Sequence, residues 1–311
     1  MENNTFPQYF NLTMFVKLGN YRYLAFVLCL LLYAFIIFSN LVIIVLISRE
    51  KTLHEPMYIF IMCLSINSLY GSAGFFFRFL RDLLSDTHLI SRTACFAQIY
   101  VIYTYASYDD LSILAVMSYD RYVAICRPLV YHSVMSKKRL LLLVSVSWWT
   151  PFCIIGMNIF LTSRLKLCSA YIARLFCVNW VIVKLACFPA ETIVNNIVAY
   201  ITIIVYVFHG FFIVWSYLYV IKTCVNSLEN RAKFMQTCVP HLTSLLIFLF
   251  TVIFDIMHIR YVSKDLPQAT DNFIAIAFLV IPVILNPLIY GFKLTKIRGK
   301  ILSSIAFKRK R

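Results

Sequence analysis

Four charged residues in a largely apolar stretch could do chemistry, because their spacing places them on defined faces of a helix. Asp110 lies eleven residues before Arg121, and eleven residues make about three turns and about 16 Å of helix, so the two share one face. Asp109, rotated by about 100°, shares the face of Asp120 instead. Adjacent acids that point in different directions form no carboxylate pair for hydrolysis. A lone acid inside a membrane would bind a cation, or serve as a protonated or hydrogen-bonded structural group.

Four of the ten cysteines could form disulfide bonds. They lie between apolar segments, on the side assigned below to the oxidising exterior, whereas the other six lie in or beside the apolar segments as packing residues. No histidine stands at ligand spacing to the four, so disulfides are favoured over a metal site and over free thiols. Four cysteines allow three pairings, and spacing alone does not choose among them. The four are Cys95, Cys168, Cys177 and Cys187.

The elements that must position these groups are membrane-spanning helices. Of 311 residues, 61% are hydrophobic and 14% are charged, with a mean hydropathy of +0.81. A soluble domain carries about 25% charged residues, so most of the exterior of this chain must face lipid. The net charge of +16 does not indicate nucleic-acid binding, because the basic residues lie between and after apolar segments and form no patch interleaved with aromatic residues.

Seven apolar segments are long enough to cross a bilayer as helices, which takes about 20 residues each. Helix is required because backbone amides in hydrocarbon must bond within their own segment. The third segment contains polar residues, which indicates that other helices screen it from lipid. We therefore predict an all-α membrane protein, a seven-transmembrane-helix bundle with an extracellular tail over 1–22, the bundle over 23–292 and a cytoplasmic tail over 293–311. The spans are Tyr23–Ile47, Met57–Leu80, Cys95–Tyr119, Leu140–Leu161, Asn195–Ile221, Thr237–Met257 and Asn272–Phe292.

The basic residues set the orientation of the bundle. Besides Arg121, seventeen lie in the gaps after the first, third and fifth spans and in the C-terminal tail, against eleven toward the opposite side. Basic residues favour the cytoplasmic side, so we expect the N-terminus outside the cell, where two sequons would allow glycosylation at Asn3 and Asn11. From Lys293 onward, basic and apolar residues alternate, which predicts a short amphipathic helix on the inner leaflet and a basic end drawn to anionic lipid.

A thirteen-residue string, MSYDRYVAICRPL over Met117–Leu129, stands at the inner end of the third span. With it, the chain resembles the odorant receptor family of G-protein-coupled receptors. The stretch CLSINSLYG over Cys63–Gly71 resembles the fish-type branch most. Further matches in chain order are Ser39-Asn40, Leu53–Tyr58, Ser216-Tyr217, Lys233-Phe234, Thr237-Cys238, His241-Leu242 and Pro282–Tyr290.

The resemblance implies a plasma-membrane receptor, not an enzyme, that binds a small odorant and activates a cyclase-stimulating olfactory G protein. It also implies the disulfide pairings Cys95–Cys177 and Cys168–Cys187. It further implies an activation switch, in which an arginine exchanges a partner inside the bundle for one on the G protein. The switch residues carried over are Asp120, Arg121, Tyr122, His241 and Tyr290.

The chain departs from the family at two positions that bear on the switch. Ser68 stands where the family has an acid in the second span, and Pro240 stands before the histidine of the sixth. In the family that acid and the one at the position of Asp110 hold an internal cation. We therefore predict a weaker sodium site made by Asp110, Ser68 and Asn286, with no other cofactor. Pro240 removes a backbone donor and could kink the sixth span.

An aromatic enclosure with a few polar groups in the outer half of the bundle is what a small-ligand site requires. Any one of these aromatic residues could equally be a packing residue, and Asp255 could equally mark the outer headgroup zone. The predicted ligand-binding residues are Tyr103, Thr104, Ser107, Tyr200, Ile204, Phe250, Phe254 and Asp255.

Two other classes of membrane protein compete with the receptor. A transporter or channel would favour internal repeats or paired Gly/Pro-broken helices, and an intramembrane enzyme would need a nucleophile elbow, paired histidines or facing carboxylates. The sequence shows none of these.

Overall fold

The computed structural model describes residues 7–15, 19–107, 112–225, 238–247, 249–251, 254, 267–294 and 296–300. Asp110, Asp255 and Asn3, among the predicted site residues, lie outside these ranges. The helices within them are α1 (Tyr21–Arg49), α2 (Pro56–Leu84), α3 (Arg92–Ser107), α4 (Leu114–Cys126), α5 (Tyr131–Val134), α6 (Lys137–Ser163), α7 (Asn179–Lys184), α8 (Ile193–Val225), α9 (residues 238–247 and 249–251) and α10 (Gln268–Lys293).

Five helices are long and apolar enough to cross a membrane: α1, α2, α6, α8 and α10. They coincide with the first, second, fourth, fifth and seventh predicted spans. The third span is described as α3 and α4, and α9 covers the described part of the sixth. Each of the five long helices extends beyond its predicted span by a few residues. Polar residues at a helix end reach the headgroup zone without leaving the helix.

The third span is largely buried over its described residues, as its polar residues predicted. On α4, Ser118, Asp120 and Arg121 are all buried. By contrast, α1, α6 and α8 expose large apolar side chains over much of their length, such as Phe38 at 68% and Phe208 at 68% exposure. A helix that presents apolar side chains outward can do so only against lipid.

Close packing of α2 against α3 depends on two glycines. A Cβ atom at Gly71 would lie 2.2 Å from Cγ of the fully buried Tyr105, and one at Gly74 would lie 2.5 Å from Cγ1 of Val101. Both distances are far below contact distance, so any side chain at either position would force the helices apart.

A three-stranded sheet at the end of the bundle that carries the N-terminal tail was not expected from the sequence. Its strands are β1 (Tyr9–Leu12), β2 (Leu89–Ser91) and β3 (Tyr171–Ile172), with β1 in the centre, antiparallel to β2 and parallel to β3. The N-terminal tail is therefore folded onto the first and second outer loops. Both predicted disulfides are present, Cys95–Cys177 and Cys168–Cys187, and the six remaining cysteines, all among the described residues, are not disulfide-bonded.

The segment after α10 is amphipathic, as predicted, over the described residues 296–300. These residues are helical, with Ile297 fully buried and Lys296 exposed. Lys296 donates to Glu55 over 2.8 Å and Lys300 pairs with Glu50 over 2.7 Å. The Glu55 hydrogen bond raises the pKa of Lys296 above its usual value. The segment is thus attached to the turn between α1 and α2.

Candidate functional site: the inner switch

Asp120 and Arg121 form a buried ion pair at the inner end of α4. Arg121 Nε donates to Asp120 Oδ2 over 2.8 Å, and Arg121 Nη2 bonds to the same oxygen. The Tyr131 hydroxyl, on α5, donates to the other carboxylate oxygen, Oδ1, over 2.8 Å. Both oxygens of Asp120 are therefore engaged, and Arg121 is only 7% exposed. Removing one partner of a buried pair is costly, so the pair holds this conformation.

Burial, followed by the charge of Asp120, raises the pKa of Tyr131 above its usual value. Tyr131 therefore stays protonated at physiological pH and remains a donor to the carboxylate. This tyrosine was absent from the predicted switch, although it lies two residues after the family-like string. Its role depends on a turn of the chain that brings α5 back beneath α4.

A small cavity joins three of the predicted switch residues. Arg121 of α4, His241 of α9 and Tyr290 of α10 line it together with Met57, Ile61, Met117 and Leu294, and its volume is about 10 Å³. That is about the space of one water molecule. The structure therefore brings residues of the third, sixth and seventh spans together, with no room for a partner protein to reach Arg121.

Tyr122 is not part of this cavity. Its ring lies 6.1 Å from the ring of Trp215 and 6.0 Å from that of Tyr219, both on α8, and the Arg127 guanidinium lies 5.9 Å from it. Successive residues on a helix point about 100° apart, so Tyr122 faces the fifth span while Arg121 faces the interior. Tyr122 stays a predicted member of the G-protein-facing switch, and its ring packs on the fifth span.

Two buried hydrogen bonds connect the sixth span to its neighbours. The Tyr217 hydroxyl bonds to His241 Nδ1, and the Ser244 hydroxyl donates to Asn286 Oδ1. Tyr217 is 4% exposed and His241 is 1% exposed. The dipeptide Ser216-Tyr217 belonged to the family-like matches, but no spacing in the sequence assigned Tyr217 to His241. The sixth span is thus held to both the fifth and the seventh spans.

The predicted sodium site is only partly described. Ser68 is fully buried, and its hydroxyl has no hydrogen-bond partner among the described residues. Asn67 donates to the carbonyl of Tyr105 over 3.0 Å, and its Oδ1 has no partner within that part of the chain. Asn286 Oδ1 accepts from Ser244. Buried acceptors that lack donors suit a cation, so Ser68 and Asn67 fit such a site better than Asn286 does.

The α3 members of the predicted ligand set are enclosed. Thr104 and Ser107 are buried and Tyr103 is half-buried. The Thr104 hydroxyl bonds to the Tyr70 hydroxyl over 2.9 Å and donates to the carbonyl of Tyr100 over 2.6 Å. These polar groups occupy the interior between the second and third spans.

The predicted ligand residues on the fifth and sixth spans do not join them. Each is at least half exposed, and the physical reason is that α8 is apolar all round, so its sequence does not reveal which face turns inward. The prediction that these four side chains line an enclosed pocket is therefore wrong for this conformation. They are Tyr200 (53% exposed), Ile204 (54%), Phe250 (71%) and Phe254 (51%).

Comparison with known proteins decides the family. A sequence model described as "Olfactory receptor" matches residues 28–308. The chain belongs to the olfactory receptor family. It is 32% identical to human olfactory receptor 10J4 over 292 residues, which are 93% of this chain and 92% of that protein. It is 34% identical to human olfactory receptor 10T2 over 91% and 90%, and 32% identical to rat olfactory receptor 1496 over 94% of both.

Membership makes this receptor an odorant-sensing, G-protein-coupled, multi-pass membrane protein with a seven-helix bundle. The resemblance inferred from the string at Met117–Leu129 is confirmed, while the assignment to the fish-type branch stays a prediction. The switch geometry described above lies wholly within the matched residues.

Proposed function

We propose that this receptor binds a small odorant in the outer half of the bundle and activates a cyclase-stimulating G protein through Arg121. It would act in the plasma membrane, with the N-terminus outside and the basic tail in the cytoplasm. The buried cluster of Arg121, Asp120 and Tyr131 supports this proposal most strongly, because it is an inward-facing charge with a releasable partner. Glycosylation at Asn3 and Asn11 belongs to the same proposal, and the half-buried Asn11 lies beside an extracellular cleft.

The switch works by partner exchange. In the structure Arg121 is closed in by a cavity of about 10 Å³, so a G protein could reach it only if the inner ends of the helices separate. Movement of α9 would break the bonds of Tyr217 to His241 and of Ser244 to Asn286. Arg121 would then leave Asp120 for an acceptor on the G protein, a transition between two packed states.

The odorant would lie against the enclosed groups of α3. Tyr103, Thr104 and Ser107 offer three hydroxyls and an aromatic ring, and Tyr70 adds a fourth hydroxyl through its bond to Thr104. A pocket of this kind suits a small molecule with an apolar body and one or two polar groups. Asp255 stays a predicted contact for a charged ligand, outside the described residues.

A sodium ion would occupy the interior near Asp110, coordinated also by Ser68 and Asn67. The ion would stabilise the inactive state, because separation of the helices would disperse its ligands. The thermal stability of the purified receptor is expected to rise with sodium relative to potassium in the wild type and not in Asp110→Asn. An equal response of the two proteins would refute the site.

Cyclic AMP measured in cells tests the main proposal. Panels of amino acids, bile acids and volatile organic compounds are applied to the wild type, to Arg121→Ala and to Arg49→Ala, a matched control at an exposed arginine outside the cavity. We expect an agonist response in the wild type and in the control, and none in Arg121→Ala at equal surface expression. Ion flux through reconstituted vesicles without any G protein would support a transporter or channel instead.

A further inference from the structure

The strand β1 has one outer and one inner face. Tyr9 is 58% exposed, whereas Phe10 and Leu12 are 0% and 1% exposed. This alternation is that of a strand with one face packed on a core. The N-terminal tail is thus a packed element of the receptor, and the side chains of Phe10 and Leu12 point into the receptor core.

The inner face of β1 lies over the outer end of α3. Phe10 and Leu12 belong to one apolar cluster with Ile99 of α3 and the disulfide-bonded Cys95, and Tyr103 packs against the same cluster. Tyr103 is the outermost of the α3 residues proposed to contact the odorant. The strand therefore forms part of the cover above that site.

Noncovalent contacts alone hold β1 among the described residues, whereas the loop that carries β3 is fixed by two disulfides. Backbone N–H groups of Asn11, Leu12 and Thr13 donate to carbonyls of Ala170, His88 and Ile172. Past the strand, Asn272 Nδ2 donates to the carbonyl of Met14 over 2.8 Å, and the ring of Phe15 stacks on that of His88 at 4.2 Å. β2 lies in the short connection between α2 and α3, and β3 lies in the disulfide-bonded loop, so β1 is the strand least restrained by covalent connections.

We infer that β1 is a gate over the odorant site: a molecule dissolved in the outer water reaches Tyr103 and Ser107 only when β1 separates from β2. This inference rests on the proposed position of the odorant beside α3. The fixed loop with β3 would stay in place, and the inner face of β1 would define the roof of the closed site.

A reversible covalent lock between β1 and β2 tests the gate. Asn11 and Leu89 are Cα partners in the antiparallel pair, and directly opposite residues lie about 4.5–5.5 Å apart, within the range that a disulfide spans. The double substitution Asn11→Cys with Leu89→Cys would join the strands on their outer face. Each single substitution is a matched control, and Asn11→Cys alone also controls for loss of the sequon.

The reporter is Ser107→Cys, a nearly isosteric change at a buried position on α3. Intact cells are treated with a membrane-impermeant cationic methanethiosulfonate, and mass spectrometry of the peptide that contains position 107 gives the labelling rate. The experiment needs neither an odorant nor a G protein, so its failure is distinct from failure of the proposed signalling function.

We expect oxidation of the lock to slow labelling at position 107 by about tenfold or more relative to both single-cysteine controls. Equal rates with and without the lock would overturn the inference, as would the absence of labelling in the unlocked controls. A second variant, Leu12→Ala, removes a packing side chain from the inner face and should speed labelling, whereas Tyr9→Ala on the outer face should not. Unchanged labelling in Leu12→Ala would also count against the gate.

Discussion

The bond between Tyr131 and Asp120 should hold the receptor inactive, and Tyr131→Phe tests this with the loss of one oxygen atom. The hydroxyl donates to Asp120 Oδ1 over 2.8 Å while Arg121 occupies Oδ2. Without the hydroxyl, Asp120 loses one of its two described partners. The ion pair of Asp120 with Arg121 is then held less firmly. If Arg121 must leave Asp120 for the receptor to signal, the variant is closer to the active state before any odorant binds.

The size of the effect follows from the type of bond. A hydrogen bond to a charged group contributes about 1.5–3 kcal/mol, and Tyr131 is half-buried, so the lower value of about 1.5 kcal/mol applies. That value is about tenfold in a two-state equilibrium. If about 1% of the receptor is active without ligand, within the usual range for a minor state, Tyr131→Phe should bring that fraction to about 10%.

Basal cyclic AMP at equal surface expression measures the change. Tyr21→Phe is the matched control, because Tyr21, at the start of α1, is 75% exposed, and it should leave basal activity unchanged. Because the pKa of Tyr131 is raised, its hydrogen bond to Asp120 is present below the ordinary tyrosine pKa of about 10 and is lost only above it. Titration of Tyr131 should therefore not change the basal activity of the wild type between about pH 6 and pH 8. Basal activity of Tyr131→Phe at or below that of the wild type would refute the reasoning.

Two further substitutions test the packing of the bundle and its outer cover, each by the melting temperature of the purified receptor. Gly71→Ala would place a Cβ 2.2 Å from the ring of Tyr105 and should lower the free energy of unfolding by about 1–3 kcal/mol. Gly210→Ala, where a Cβ would meet nothing within 4 Å, should be neutral or stabilising. Equal losses in the two variants would show that the contact with Tyr105 is not the cause. Cys177→Ser removes a disulfide and should lower the free energy of unfolding by about 2–5 kcal/mol. Cys153→Ser, at an exposed free thiol, should not lower it. A melting temperature unchanged by Cys177→Ser would contradict a stabilising role of the disulfide.

The membrane spans could be predicted because lipid selects for properties that are local in the chain. A run of about 20 apolar residues is favourable in a bilayer whatever lies elsewhere, and α1, α2, α6, α8 and α10 coincide with predicted spans. The pocket contacts on α8 and α9 could not be predicted in the same way. Lipid and the protein interior are both apolar, so hydropathy does not tell the outward-facing Ile204 from a residue that turns inward.

The switch lies between these two cases. The string around Arg121 identified the family and the arginine, but Tyr131 and Tyr217 had no assigned role, because each meets its partner only after the chain has folded back. The packing of Tyr122 has the same origin. Its neighbour in sequence faces the cavity, while its own ring packs against α8, and adjacency in sequence implies different faces on a helix.

The sequence by itself determined the number of spans, the family, and the arginine at the inner end of the third span. The tertiary structure alone decided that the N-terminal tail is a strand and that this strand covers the outer end of that span. β1 is four residues long, and so short a strand is not stable by itself. It forms because Asn11 pairs with Leu89 and Tyr171, which are far from it in sequence. Such long-range pairing depends on the positions that the helices and the disulfides give to the loops.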